Sequence, residues 1–67
     1  MPHANWLIFD MVTSLWLQTY AIDPSSAQWT NNPLDALHYE TEAEAQGVIN
    51  TWGNQSGRFI GKNPPPH

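Results

Sequence analysis

The chain has 67 residues, no cysteine and a net charge of −4 at neutral pH. Because only Arg58 and Lys62 are basic, binding to a nucleic-acid backbone or to an anionic membrane surface is disfavoured. Disulfides and thiolate metal sites are excluded, so the packing of apolar side chains must hold together a domain of marginal size.

The N-terminal part of the chain is predicted to form a β-hairpin. Segments 6–9 and 15–20 are rich in aromatic and aliphatic residues, and the residues between them, 10–14, are turn formers. The alternative is one amphipathic helix over about residues 5–20, because no Asn-Gly or Asp-Gly turn excludes it.

Strand alternation divides the second predicted strand between two faces of the sheet. One face carries Leu15, Leu17 and Thr19, and the other carries Trp16, Gln18 and Tyr20. We therefore expect a sheet that is apolar on one side and mixed aromatic and polar on the other.

Segment 6–20 is apolar enough to raise the question of a signal peptide or a membrane span. Asp10 interrupts it, several hydroxyl and amide side chains reduce its hydropathy, and no basic residue precedes it. We expect a soluble protein that is cytoplasmic by default.

Two turns are predicted in the middle of the chain. Asp23 can accept hydrogen bonds from the backbone that follows it, and Pro24 presets φ for a turn. Asn32 is a capping residue placed before a proline, which predicts a single helical turn. Residues 37–39 then read as a short third strand that leads into the main helix.

The main helix has the clearest signals in the chain. Thr41 and Glu44 have the spacing of a capping box, and Gly53 is a residue suited to end a helix in the left-handed conformation. Gly47 in its middle is interpreted as allowing close approach of the helix to the sheet, and the alternative is close approach of a partner to the helix. The predicted apolar stripe consists of Ala45, Val48, Ile49 and Trp52.

A last strand is predicted at 58–62, followed by a proline-rich tail at 63–67 that reads as polyproline II. The prediction is one α+β domain over residues 1–62. It has a small antiparallel sheet in the order β-β-β-α-β along the chain, with one amphipathic helix packed on one face.

A loose resemblance to other sequences covers roughly residues 6–60. Trp29, segment 35–41 and the pair 44–45 stand in an order that resembles many short uncharacterised open reading frames of phages and bacteria. In these, a two-stranded start precedes a Trp, a turn bearing Ala, an aromatic strand residue and an (S/T)-x-x-E-A helix. The chain departs from the pattern at its first turn, where 12–14 replace Asn-Gly. The resemblance implies a fold and a mobile-element origin, and no functional residue carries over.

Catalytic chemistry is not predicted. His3 and His67 lie in the predicted tails, and His38 has no histidine partner at ligand spacing. The serines fall in predicted turns, and a domain of this size is expected to offer little room for a pocket of about 300 Å³. The carboxylates near the helix start are explained by capping. An acidic protein that mimics DNA is therefore only a minor alternative. We predict no catalytic residue, no metal ligand and no cofactor, and expect a protein that is not an enzyme.

The tryptophans are the best lead to a function. Trp52 belongs to the core stripe, but Trp6, Trp16 and Trp29 cannot all face inward if the leucines of the hairpin do, so at least one is expected to be exposed. Tryptophan and tyrosine are favoured at interface hot spots. We therefore predict a binding patch of Trp16, Tyr20 and Trp29. The alternative is that these rings cover a second small core under the loop 23–32.

The sequence thus favours a non-enzymatic protein-binding module, an accessory or inhibitor protein of a phage or other mobile element. One alternative is a small-ligand or carbohydrate-binding module that uses exposed aromatic rings. Another is a structural subunit that forms homo-oligomers. A protein partner is expected, and nucleic acid and membrane are not. The prolines near the C-terminus are interpreted as an inert end, and the alternative is a ligand for an aromatic groove.

Overall fold

The computed structural model describes residues 6–63, so residues 64–67 of the predicted tail lie outside the described residues. The predicted α+β class is confirmed: a four-stranded antiparallel sheet in the order β3-β2-β1-β4 packs against one helix. No helix in the described part of the chain has the length and apolarity needed to cross a membrane. The elements are β1 Leu7–Asp10, β2 Leu15–Thr19, β3 Gln28–Thr30, α1 Glu42–Asn50 and β4 Phe59–Lys62, with short 3₁₀ helices at Pro33–Asp35 and Gly53–Arg58.

The N-terminal hairpin is confirmed, and the single helix considered for this segment is wrong. β1 and β2 pair antiparallel beside their turn, where Phe9 lies opposite Trp16. The turn closes without Asn-Gly because the N–H of Ser14 donates to the carbonyl of Asp10 (2.8 Å) while the Asp10 carboxylate accepts the N–H of Val12 (2.9 Å). Ser14 takes the left-handed conformation, with φ of 61°.

The third strand was predicted in the wrong place. β3 follows the turn at Asp23, and residues 37–39 form only an isolated bridge instead of a strand. Tyr39 exchanges both backbone hydrogen bonds with Trp6, and the N–H of Leu37 donates to the carbonyl of Leu17 (2.8 Å). The segment thus runs between β1 and β2 where these strands no longer pair, and its backbone is satisfied there without a continuous ladder.

The predicted helix start and apolar stripe are confirmed. The N–H of Glu44 donates to Oγ1 of Thr41 (3.1 Å), which caps the first turn. α1 ends at Asn50, and Gly53 follows in the left-handed conformation with φ of 63°. The main core between the helix and the sheet consists of Ile8, Leu17, Ala45, Ile49, Trp52 and Phe59, with Val48 partly buried against it.

The interpretation of Gly47 is wrong. Gly47 is exposed, and a Cβ built on it meets no atom within 4 Å. The helix approaches the sheet closely at Gly61 in β4 instead, where an added Cβ would lie 3.4 Å from Cβ of Ala45. A glycine in β4 is therefore what lets the alanine of α1 pack against the sheet.

Gly47→Ala is expected to stabilise the protein by about 0.5–1 kcal/mol, because glycine inside a helix loses more backbone entropy on folding than alanine does. The measurement is the urea midpoint followed by far-ultraviolet circular dichroism. Gly53→Ala is the matched control and should destabilise the protein, since it forces a Cβ into a left-handed position. An unchanged or lower stability of Gly47→Ala would contradict the helix as described.

The second face of the sheet carries its own small core. Leu7, Trp16 and Ala36 are buried there, with Phe9 packed against them. Ala36 reaches this face because the 3₁₀ helix Pro33–Asp35 precedes it. That turn is capped as predicted, since Oδ1 of the asparagine before it accepts the N–H of Leu34 (3.0 Å). Both faces of the sheet are thus covered by parts of the chain.

Candidate functional site

Trp16 does not lie in an exposed patch. It is 7% exposed and packs in the second small core, with its ring centroid 4.6 Å from that of Phe9. We also predicted that at least one of Trp6, Trp16 and Trp29 is exposed. This is wrong, because Trp6 and Trp29 are both half-buried. Trp16 therefore acts as a core residue of the sheet face opposite α1.

Tyr20 lies on the other side of the sheet from Trp16. The pairing of β2 with β3 shifts register between Leu17 and Thr19, so the simple alternation predicted for β2 does not extend to Tyr20. Its ring stacks on Trp52 at 6.3 Å, on the helix side of the sheet, and its side chain is 42% exposed.

Trp29 is positioned by β3 and by the turn before it. Its indole N–H donates to the carbonyl of Pro24 (3.1 Å), and its ring lies nearly parallel to Phe59 with centroids 5.3 Å apart. Trp29 also contacts Trp52 at 6.0 Å, so it and Tyr20 touch the same core ring. The structure thus brings two of the three predicted residues to one side and places Trp16 on the other.

A cleft of about 310 Å³ opens beside Trp29. The prediction that the domain has little room for a pocket of this size is therefore wrong. It forms where the β1–β2 turn, the turn after Asp23 and the second 3₁₀ helix meet at one end of the sheet. Its lining consists of Asp10, Thr13, Leu15, Pro24, Ser25, Trp29, Gln55, Arg58 and Phe59. We call this the Trp29 cleft.

An ion pair between Asp10 and Arg58 forms part of the cleft wall. Nη2 of Arg58 lies 2.7 Å from Oδ2 of Asp10, and Nε donates to Oδ1 at 3.2 Å, so the contact is bidentate. Asp10 is buried, whereas the side chain of Arg58 is 39% exposed. Sequence reasoning missed this pair, because the two residues are 48 positions apart and Asp10 was recognised only as a turn former.

The pKa of Asp10 is lowered from its usual 3.8. Burial of the carboxylate acts to raise it, but the hydrogen bond from Arg58 and those from the backbone of Val12 and from Thr13 outweigh burial. The same contact with Asp10 raises the pKa of Arg58. Both groups are therefore charged at neutral pH, and the carboxylate is committed to holding the turn and the arginine.

The titratable side chains in the cleft lining, Asp10 and Arg58, are paired with each other. Asp10 is saturated with donors, and the Ser25 hydroxyl donates to Asp23 at 3.0 Å. No histidine is among the lining residues. Arg58 offers hydrogen-bond donors, and Gln55 and Thr13 offer both donors and acceptors, next to an aromatic wall.

The hairpin turn next to the cleft carries exposed apolar side chains. Val12 is 70% exposed, and Met11 beside it is also exposed. The N–H of Met11 donates to the carbonyl of Arg58 (2.9 Å), so this turn is attached directly to the cleft wall. Met11 and Val12 do not line the cleft themselves, but they lie between its lining residues Asp10 and Thr13. The exposed Ile22 likewise lies two residues before the lining residue Pro24.

Metal binding finds no support in the described residues, since no three histidine, aspartate or glutamate side chains gather within 6–63. Tyr39 has a raised pKa, because it is partly buried and lies near Tyr20, and it remains a neutral phenol.

The chain was also compared with known proteins. No family model, no curated protein and no solved structure matches it significantly.

Proposed function

We propose that this chain is a non-enzymatic protein-binding module that holds side chains of a partner in the Trp29 cleft. The observation that carries the proposal is an aromatic cleft beside a turn with exposed apolar side chains. Trp29 and Arg58 line the cleft, and the exposed Met11 and Val12 lie in the hairpin turn between its lining residues Asp10 and Thr13. Tryptophan and arginine are enriched among residues that dominate binding energy at interfaces.

The size of the cleft favours a protein partner over a small molecule. Sites for drug-sized ligands span about 300–1,000 Å³ and bury most of the ligand. The Trp29 cleft, at about 310 Å³, lies at the lower limit of that range and holds one or two side chains. A small ligand would leave Val12 in water, whereas a protein surface would cover it.

The proposal includes a phage or mobile-element origin and a cytoplasmic location, both inferred from the sequence. A phage or mobile-element accessory protein that acts by binding, in the cytoplasm, would need no catalytic residue and no cofactor. The saturated carboxylate of Asp10 is consistent with such a role, because a general acid or base must be able to exchange its proton with a substrate.

The proposal is tested by capture of a partner from a lysate of the natural source, with two matched variants. Val12→Asp places a charge in the hairpin turn next to the cleft, and Leu34→Asp places the same charge at an apolar residue that is 65% exposed on the 3₁₀ helix Pro33–Asp35. We expect one specific partner that is retained by Leu34→Asp and lost by Val12→Asp. Loss with both variants, or with neither, would refute the cleft as the binding site.

A second candidate, a small-ligand or carbohydrate-binding module, is favoured by the half-buried ring of Trp29 in the cleft wall. Aromatic faces are stacking platforms for sugars and other flat apolar ligands. The test is the tryptophan fluorescence of the folded protein during titration with a panel of oligosaccharides. A saturable change that is abolished by Gln55→Arg, which crowds the cleft lining without adding a fluorophore, would favour this candidate over a protein partner.

A further inference from the structure

One carboxylate next to the Trp29 cleft lacks a cation partner. The charges of Asp10 and Arg58 in the lining cancel in their bidentate ion pair. Asp23 is exposed, and its Oδ1 accepts both the N–H and the hydroxyl of the lining residue Ser25 at 3.0 Å. Its Oδ2 forms no hydrogen bond or ion pair within residues 6–63. The cleft and its border thus carry a net negative charge and an oxygen that can accept a hydrogen bond from a ligand.

The aromatic wall of the cleft is held in place before any ligand binds. The indole N–H of Trp29 donates to the carbonyl of Pro24 (3.1 Å), so it is not available to a ligand. The ring lies at 14° to that of Phe59 and contacts Trp52. Because Trp29 is only half-buried, part of its π surface remains accessible on a fixed ring, and binding needs little reorganisation.

Aromatic rings of this sheet already hold cations. The guanidinium carbon of Arg58 lies 5.2 Å from the ring centroid of Phe59, and Nζ of Lys62 lies 5.1 Å from that of Phe9. Tryptophan is the ring that attracts cations most strongly. No cation of the described residues lies over Trp29. This ring, beside an unpaired carboxylate, is therefore suited to a cation from another molecule.

We propose that the Trp29 cleft binds an arginine side chain of a basic partner protein, with its guanidinium on the Trp29 ring and Asp23 as its counter-charge. The inference rests on the proposed function, since it names the chemistry of the partner for the same cleft. A guanidinium is planar, stacks on aromatic rings and carries five N–H donors. Side-chain oxygens that accept hydrogen bonds belong to three of the lining residues, Thr13, Ser25 and Gln55.

The charge of the whole chain favours the same class of partner. Its net charge of −4 attracts a basic protein and repels an acidic one. Arg58 does not offset this attraction, because the Asp10 carboxylate binds its guanidinium at 2.7 Å. An acidic ligand at the same place would meet the carboxylates of Asp10 and Asp23.

The direct test is a nuclear magnetic resonance titration of the full chain with two acetylated tripeptide amides. The probe has arginine between two leucines, and its control has citrulline, the uncharged isostere of arginine, in the same place. We expect saturable shifts of the Trp29 indole N–H and the Ser25 amide at millimolar probe, with the citrulline peptide binding at least about three-fold more weakly. Equal affinity for the two peptides, no shift with either, or shifts confined to residues outside the cleft lining would overturn the proposal.

Two variants with the same change in total charge locate the counter-charge. Asp23→Asn removes the carboxylate next to the cleft but keeps an amide oxygen that can accept the hydrogen bonds of Ser25. Asp35→Asn removes an exposed carboxylate outside the cleft lining. We expect Asp23→Asn to weaken binding of the arginine peptide about two- to five-fold and Asp35→Asn to leave it unchanged. Equal effects of the two variants would contradict Asp23 as the counter-charge and overturn the proposal.

The two proposals fail separately. A captured partner that is lost with Val12→Asp, but retained equally by Asp23→Asn and Asp35→Asn, would show that the cleft binds a protein of different chemistry. If no partner depends on Val12 and neither peptide shifts the cleft resonances, both proposals are wrong. The far-ultraviolet circular dichroism of each variant shows whether it has folded.

Discussion

Replacing Trp52 with alanine is expected to cost about 3–5 kcal/mol of unfolding free energy. The ring is nearly fully buried in the main core, 4.7 Å from the centroid of Phe59 and 6.0 Å from that of Trp29. Its indole N–H also donates to the carbonyl of Ala21 (3.1 Å). A chain of 67 residues is expected to have a total stability of roughly 3–10 kcal/mol, so the variant should lose at least about a third of it.

Tyr20→Ala is the control for this prediction. Tyr20 stacks on the same ring but is 42% exposed, so its removal should cost far less. The measurement is urea denaturation followed by far-ultraviolet circular dichroism at 25 °C. Trp52→Phe should fall between the two, because it keeps an aromatic ring but loses the hydrogen bond to Ala21. A Trp52→Ala protein as stable as the unaltered chain would show that Trp52 is not central to the core.

Asp10→Asn is expected to cost about 2 kcal/mol at pH 7, from the loss of charge-assisted hydrogen bonds. The loss of unfolding free energy is limited because Arg58 is 39% exposed and water weakens the ion pair. The cost is still large for a single residue, because the buried Asp10 carboxylate binds both the hairpin turn and Arg58. Asp35→Asn, at an exposed carboxylate of the first 3₁₀ helix, is the control and should change stability little.

The effect of Asp10→Asn should depend on pH. The folded pKa of Asp10 lies below its usual 3.8, so the unfolded chain binds more protons in acid than the folded chain does. The free energy of unfolding therefore decreases as the pH is lowered. The contribution is complete above the unfolded value and is lost as pH drops through the folded pKa. The difference in urea midpoint between the unaltered chain and the variant should therefore shrink below about pH 4. A difference that stays constant from pH 7 to pH 3 would contradict the ion pair.

The parts of the fold that sequence reasoning predicted well depend on short spacings along the chain. Thr41 and Glu44 are three residues apart, and the stripe that ends at Trp52 repeats with the period of a helix. Asn32 caps the turn directly after it. In each of these cases the hydrogen bond or contact joins neighbours in sequence, so the pattern of residue types determines it.

The third strand could not be located in this way. Segment 37–39 and segment 28–30 both have an aromatic residue at their centre or end, and local propensity does not separate them. What separates them is the partner: β3 pairs with β2 over several residues, whereas Tyr39 meets Trp6 in a single bridge. Strand pairing is a long-range property, and the sequence pattern of one segment does not contain it.

The candidate site could not be predicted from the sequence either, because it also depends on long-range contacts. Alternation along β2 separated Leu17 from Trp16 correctly, but both faces of the sheet are covered, one by α1 and the other by the segment around Ala36. Exposure of Trp16 therefore could not follow from alternation alone. The cleft itself depends on the contact between Asp10 and Arg58, which brings together two distant turns.

Photochemical cross-linking from two glutamine positions is the most direct test of the Trp29 cleft as the protein-binding site. A photoreactive residue replaces Gln55 in the cleft lining or Gln46 on the exposed side of α1, and each protein is irradiated with its captured partner or with a second copy of the chain. We predict a cross-linked product from position 55 and none from position 46. A product from position 46 alone would place the interface on the helix and contradict the cleft.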